Sequence, residues 1–114
     1  RVGVAPEPTG PASGGPRRSM FANGTVAEGW VRGAVVGFDC RVAAGAAVED
    51  SVLFDGVSVG PGARVRRAIL DKGVRVAPGA RVGFDPEEDR ARGFVISEGG
   101  ITCVPKGMNI EPGA

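Results

Sequence analysis

Residues 59–84 read VGPGARVRRAILDKGVRVAPGARVGF, and they contain the phrase VGPGARV followed by VAPGARV. The second phrase repeats the first after 17 residues, and the same step separates apolar residues elsewhere in the chain. Such a fixed period is the signature of a repeat architecture, and it identifies the fold before any propensity argument does. The clearest columns are Val42, Val59 and Val76; Val31, Val48, Val65 and Val82; and Val35, Val52 and Ile69.

Within each 17-residue unit, apolar residues also recur after six residues, as from Val59 to Val65. Six is not near a whole number of 3.6-residue helical turns, so this pattern excludes a helical repeat. Six residues do form one short strand plus a bend, and about three such sides make one triangular coil. The dipeptides Pro61-Gly62 and Pro78-Gly79 suit the corners, because Pro and Gly fix turns. The sequence therefore predicts an all-β fold, a left-handed parallel β-helix of the hexapeptide-repeat type.

Seventeen residues implies that one side of each coil is a residue short. The alternative fold is a meander of short antiparallel strands in a sandwich or barrel. That alternative is disfavoured, because it would not keep these columns in register at one period.

The ends of such a stack need caps, because a terminal coil presents open backbone edges. Residues 85–91 predict a short capping helix, with Asp85 as N-cap, Pro86 in the first turn and Glu88 at the capping-box position. Residues 94–97 and 101–104 predict a β-hairpin across a Gly-containing turn. We therefore expect coils over 19–84, and a helix, hairpin and tail of the same domain over 85–114.

The N-terminal side looks different. Residues 1–18, RVGVAPEPTGPASGGPRR, are rich in Pro, Gly and Ser and predict a linker or a disordered segment. The first coil is irregular, because Val26 and Gly29 fall off the 17-residue columns. The chain begins at Arg1 and shows no cap on this side, so we expect a further domain upstream.

The length, charge and cysteine content of the chain limit the classes of function that it can have. The 114 residues suffice for one domain, and a net charge of +1 argues against a nucleic-acid partner. The sequence shows neither a signal peptide nor a membrane-length apolar run. Cys40 and Cys103 lie outside any CxxC or metal spacing, so we expect partly buried, reduced thiols and a cytoplasmic location.

The residue content of the sequence gives little support for a catalytic function. The chain contains no histidine, which excludes a histidine general base and histidine zinc ligands. Glu87, Glu88 and Asp89 are either a metal cluster or, as we expect, the charged first turn of the capping helix. The Gly-rich residues 13–16 and 59–62 match neither a Walker loop nor GxGxxG. We predict no catalytic residue and no metal site in this chain.

Basic residues are numerous between the inward valines, and most must point outward. They form either a solvated face or an anion site, and spacing alone does not choose between the two. They are Arg64, Arg66, Arg67, Lys72, Arg75 and Arg81.

Three segments resemble the C-terminal part of bacterial glucose-1-phosphate adenylyltransferase (ADP-glucose pyrophosphorylase). They are RRSMFANGTVAEGW at 17–30, VRRAILDKGVRVAPGARVGFDPEEDRARGF at 65–94 and GGITCVPKGM at 99–108. Together with the coils between them, the resemblance covers about residues 17–108.

The resemblance implies a parent enzyme that makes ADP-glucose from ATP and glucose 1-phosphate for glycogen synthesis. In that family an N-terminal nucleotidyltransferase domain carries the catalytic residues and uses Mg²⁺ and ATP. A C-terminal left-handed β-helix packs against it, supports assembly into a tetramer and contributes to the site for phosphorylated effectors. This chain matches only the second part. We therefore expect it to be inert alone, to have the catalytic domain as its partner and to form a homo-oligomer.

Two lysines carry over from the family's effector site: Lys72 in the AILDK phrase and Lys106 in VPKGM. Each is expected to bind phosphate as a point charge. Arg17 and Arg18, near the interdomain linker, are weaker candidates. The first coil is about one hexad shorter than the family pattern, which bears on subunit packing.

Two other interpretations stay open. The chain could be a free-standing β-helix scaffold or oligomerisation module without a ligand. It could also be the tail of another sugar-nucleotide pyrophosphorylase, since the residues that select the nucleotide are not in this chain.

Overall fold

The structure is a computed structural model, and it describes residues 19–113 of the chain. Over these residues the chain winds through short strands of two or three residues, interrupted by one helix. The strands are β1 (Met20–Phe21), β2 (Val26–Ala27), β3 (Trp30–Arg32), β4 (Val35–Val36), β5 (Arg41–Val42), β6 (Ala47–Glu49), β7 (Val52–Leu53), β8 (Ser58–Val59), β9 (Arg64–Arg66), β10 (Ala68–Leu70), β11 (Arg75–Val76), β12 (Arg81–Val82), β13 (Val95–Ile96), β14 (Thr102–Val104) and β15 (Asn109–Ile110). The helix is α1 (Pro86–Ala91).

From β1 to β12 every third strand joins the same sheet, so the chain forms the three sides of a coil and repeats them. The first sheet has the order β1-β4-β7-β10-β14-β13, the second β15-β11-β8-β5-β2 and the third β12-β9-β6-β3. All neighbours are parallel except β13 and β14. The predicted left-handed parallel β-helix, with its short helix and hairpin, is confirmed.

The 17-residue columns are the strand register itself. Val42 pairs with Val59, and Val59 with Val76. The second column runs through Val48, Val65 and Val82 in the same way. The two phrases VGPGARV and VAPGARV are therefore one corner and the strands beside it on successive coils.

The short side of each coil lies between the third and the first sheet. There the backbone turns through a single residue with positive φ, and this residue recurs after 17 positions as Gly33, Asp50 and Arg67. Asp tolerates this conformation, whereas Arg rarely adopts it. Arg67 is held there on both sides, because its N–H donates to Glu49 O and its carbonyl accepts from Thr102 N.

The core is a column of small aliphatic side chains inside the coils. Burying one valine stabilises the fold by about 1.5–3 kcal/mol, so these columns rather than the two-residue strands hold the stack together. The largest fully buried side chains are Leu53, Leu70, Ile110, Val36, Val42, Val48, Val57, Val59, Val65, Val74, Val76 and Val82.

The first coil departs from the period, as its sequence predicts. Met20 pairs with Val35 and Val26 with Arg41, whereas Trp30 pairs with Ala47 at the usual step. The difference is two residues, and it lies at the corner between β2 and β3. Gly29 occupies this tight corner, where a Cβ atom would collide with the carbonyl oxygens of the next coil.

The other end is closed by α1. The Asp85 side chain accepts hydrogen bonds from Glu87 N (3.0 Å) and Glu88 N (3.3 Å), as expected of an N-cap. The capping box is incomplete, because the Glu88 carboxylate forms an ion pair with the Arg92 guanidinium instead, at 3.4 Å. The Arg92 guanidinium also donates to Arg81 O at 2.8 Å, which ties the helix to β12, the last strand of the third sheet.

The stack continues beyond the coils expected over 19–84. After the excursion through α1 and β13, β14 pairs in parallel with β10, and β15 with β11. Half of the predicted hairpin is therefore also a strand of a fifth, partial coil. After this excursion the strands are again in register with the coil below, two periods further along the sequence, so Ile69 pairs with Cys103.

Candidate functional site

Lys72 and Lys106 lie at the same corner of the β-helix, between the first and the second sheet. The flanking strands pair Leu70 with Val104 and Arg75 with Asn109, so the two lysines hold equivalent places on successive coils. The N–H of the residue after Lys106 donates to Lys72 O at 2.9 Å, which fixes a backbone spacing of about 4.8 Å. Both side chains are exposed. We call this pair the lysine corner.

Two aspartates belong to the same corner, and their carboxylates serve the turns. Asp71 Oδ1 accepts from Lys72 N at 2.7 Å, and Asp55 Oδ1 accepts from Phe38 N at 2.9 Å. Among residues 19–113 neither ammonium group forms an ion pair. The corner therefore offers two adjacent cations to an external anion, with two carboxylates nearby that reduce the attraction.

The other two candidates, Arg17 and Arg18, lie outside the described residues. Of the four candidate basic residues, the structure thus brings two together on one corner. A binding role for the lysine corner stays a prediction.

The first sheet carries a feature that sequence reasoning missed: an outward row of apolar side chains that crosses all six strands. Neighbours in the row are register partners from strand to strand. Inward and outward positions alternate, and the inward ones belong to the core. We call the outward row the apolar ladder. It consists of Met20, Val35, Val52, Ile69, Cys103 and Val95.

The ends of the apolar ladder are strongly exposed, at 69% for Met20 and 68% for Val95. Phe38 and Phe54 extend it towards the lysine corner and are also exposed. The equivalent outward positions of the other two sheets are mostly polar or charged, for example Arg41 on β5. A contiguous apolar patch on one face only is typical of an interaction surface.

A shallow groove of about 240 Å³ lies on this face. Phe54, Ile69, Val95 and Cys103 form most of its walls, together with Asp71, Val104 and Pro105. Since Asp71 and Pro105 directly precede the two lysines, the groove and the lysine corner are contiguous. One partner seated on the face could therefore contact both.

The two cysteines differ in environment. Both are free thiols, as the sequence predicts for reduced cysteines. Cys40 is buried, and its Sγ donates to Phe54 O at 3.0 Å. Burial raises the pKa of the Cys40 thiol above its usual value of 9.0, an effect that hydrogen bonds from the backbone offset in part. Cys103 is half-buried in the apolar ladder.

The acidic residues of α1 have structural uses. Asp89 is 1% exposed, and its Oδ2 accepts from Gly83 N at 3.0 Å and from Thr102 Oγ1 at 3.4 Å. Its other oxygen contacts the Arg92 guanidinium at 3.3 Å. The sequence predicts Asp89 in the charged first turn of the capping helix, and the structure places it there but buries it as an anchor between the helix and the coils.

Within residues 19–113, no three His, Cys, Asp or Glu side chains come together in a way that suits a metal ion. In the same part of the chain, no helix is long and apolar enough to cross a membrane.

Comparisons with known proteins agree with this architecture. The family described as "GlmU-like, C-terminal hexapeptide" matches residues 9–104. Among curated relatives, the glucose-1-phosphate adenylyltransferase of Arthrobacter sp. (strain FB24) is 47% identical over 96 residues, which is 82% of this chain and 21% of the relative. The enzyme of the same name from Frankia casuarinae is 48% identical over 93 residues, 81% of this chain and 23% of the relative.

A further relative of that name, from Parafrankia sp. (strain EAN1pec), is 44% identical over 111 residues, or 96% of this chain and 24% of the relative. The chain thus spans less than a quarter of the length of these relatives.

Proposed function

The chain belongs to the GlmU-like C-terminal hexapeptide family, and from that premise we propose that it is the C-terminal regulatory and assembly domain of a glucose-1-phosphate adenylyltransferase. The observation that carries the proposal is the apolar ladder with the lysine corner at its border. In this proposal the apolar ladder is the surface on which another domain docks, and the lysine corner binds an anionic effector. The relatives bear the name of that enzyme at 44–48% identity.

The docking partner in this proposal is the nucleotidyltransferase portion that the relatives have and this chain does not span. Nucleotidyl transfer from ATP to glucose 1-phosphate, with the Mg²⁺ it implies, belongs to that portion, and a cytoplasmic location goes with it. Burial of about 25 cal/mol per Å² of apolar surface makes a six-strand apolar face an effective docking site. The edge strand of this face, β1, is the first strand of the described residues, so the connection to a preceding domain would join the β-helix at this face.

Assembly into a homo-oligomer is part of the same proposal. In the described chain, β1, β2 and β3 each lie at the end of a sheet, so their outer backbone edges have no strand beside them. Unpaired edges of this kind are usually covered by another chain or segment.

The effector part is tested in the full-length enzyme by ADP-glucose formation with fructose bisphosphate, fructose 6-phosphate, AMP or phosphate. Lys72→Ala and Lys106→Ala should each reduce effector sensitivity at least fivefold while the rate without effector stays within about twofold. Arg75→Ala is the matched control, because Arg75 is an exposed cation on the neighbouring sheet. Unchanged sensitivity in both lysine variants would reject the effector role.

The docking part is tested separately by cysteine alkylation. Cys103 should react at least tenfold more slowly in the full-length enzyme than in the 114-residue chain, while buried Cys40 reports intact folding in both. Equal Cys103 reactivity would reject docking on this face. If docking and effector binding both fail, and phosphorylated ligands do not shift the melting temperature, the scaffold interpretation takes their place.

A further inference from the structure

The third sheet carries a second cluster of cations, and it lies on a different part of the β-helix from the lysine corner, which is between the first and the second sheet. Its outward positions include Arg64 on β9 and Arg81 on β12, and these two residues are direct register partners on adjacent parallel strands. Both are exposed. Parallel strands lie about 4.8 Å apart, so two guanidinium groups of the same charge leave the sheet side by side.

The other cations of this region are already engaged. Arg66 stacks on the Phe84 ring, with 4.3 Å from Cζ to the ring centroid, and it lies opposite Glu49 in the register. Arg67 donates to the carbonyl oxygen of Gly99 in the hairpin turn.

By contrast, within residues 19–113 the side chains of Arg64 and Arg81 make no hydrogen bond or ion pair. The described ion pairs all belong to Arg90 and Arg92. Like charges that face each other across strands are destabilising. The arrangement therefore leaves a local excess of positive charge that a bound anion would relieve.

We propose that Arg64 and Arg81 form a phosphate-binding site on the third sheet, distinct from the lysine corner. A guanidinium group offers paired N–H donors that match phosphate oxygens. A tetrahedral dianion can present oxygens to both forks at once, whereas a carboxylate carries one charge and suits one fork. The ligand class is therefore a phosphate group, either inorganic or that of a phosphorylated sugar.

The test is a two-dimensional ¹H–¹⁵N NMR titration of the 114-residue chain with inorganic phosphate, against sodium chloride at equal ionic strength. The amides of Val65 and Val82 should shift along a saturable curve with phosphate only. Those of Gly73 and Gly107 report the lysine corner, so each site can fail without the other. A parallel titration with fructose 6-phosphate distinguishes a sugar phosphate from the free anion by its relative affinity.

The variants Arg64→Gln and Arg81→Gln should each weaken the phosphate-dependent shifts at least fivefold. Arg81→Lys should give an intermediate loss, because lysine keeps the charge but not the fork. The matched control is Arg75→Gln, since Arg75 lies between the neutral Ser58 and Asn109. It should stay within about twofold of the parent chain.

A second readout is stability in phosphate-free buffer of low ionic strength. There Arg81→Gln should melt at a higher temperature than Arg75→Gln, because it removes the facing like charge. The proposal is overturned if Val65 and Val82 show no saturable shift with either phosphate ligand, or if the glutamine variants bind as tightly as the control.

Discussion

Replacing Asp89 by Ala should destabilise the chain by about 3–5 kcal/mol, the usual cost of removing one partner of a buried ion pair. The substitution deprives three groups of their acceptor: Gly83 N at 3.0 Å, Arg92 Nη1 at 3.3 Å and Thr102 Oγ1 at 3.4 Å. An unsatisfied buried N–H alone costs about 1–3 kcal/mol. The free energy of unfolding of a natural domain is about 5–15 kcal/mol, so the loss is a large fraction of the total stability.

Urea unfolding, followed by circular dichroism, measures the effect. For a domain of 60–100 residues each kcal/mol lowers the melting temperature by about 4–8 °C, so Asp89→Ala should melt about 12 °C or more below the parent. Asp89→Asn keeps one acceptor oxygen but loses the charge, so its melting temperature should lie between those of the parent and of Asp89→Ala. The matched control is Glu87→Ala, because the Glu87 side chain is 87% exposed and, among residues 19–113, its one ion pair is with the exposed Arg90.

Exposed ion pairs contribute little, so Glu87→Ala should change stability by less than about 0.5 kcal/mol. A loss of less than about 1 kcal/mol for Asp89→Ala would refute the reasoning. Such a result would mean that α1 does not hold the end of the stack through this carboxylate.

Three further predictions concern single residues. Gly83→Ala should lower the free energy of unfolding by several kcal/mol, because the added Cβ would collide with the Arg66 carbonyl group. Gly79 also has a positive φ but open space around it, so Gly79→Ala should cost only about 1–2 kcal/mol of backbone strain, and the urea midpoints of the two variants test the difference. In the 114-residue chain iodoacetamide should modify Cys103 at least tenfold faster than Cys40, and peptide mass mapping that found equal rates would contradict their placement. Burial raises the pKa of the Cys40 thiol above 9.0, so the contribution of this thiol to stability is intact below pH 9.0 and is lost as the pH rises through the higher folded-state pKa. Between pH 7 and 10.5 the unfolding midpoint should therefore fall less in a Cys40→Ala chain than in the parent.

The stacking of the coils could be predicted from sequence because the period is a direct consequence of the structure. In a parallel β-helix each inward side chain must lie on its equivalent in the next coil, so a valine column in the sequence is a valine column in space. The cap at Asp85 is also local, since it depends only on the next three residues. Such features need no knowledge of distant contacts.

The fifth coil and the anchor at Asp89 depend on distant contacts, and sequence reasoning missed both. The excursion through α1 hides the return of the column, although Cys103 does lie at twice the period from Ile69. That doubled step was the available signal. Nothing local separates Asp89 from its exposed neighbours in an acidic first turn. Its burial follows only from the approach of Gly83 and Thr102.

The outward positions explain why the fold was easier to predict than the sites. Inward side chains of a β-helix must be small and apolar to fill the coil, so they report the fold and carry no information about partners. Outward side chains are not constrained by packing within the coil, and exposed apolar ones need another explanation. The first sheet has Val35 and Ile69 outward where the other two sheets have Arg41 and Arg64. Because this contrast appears only once the outward columns are aligned by sheet, partner surfaces in such a fold are found by comparing its three faces rather than by searching for a motif.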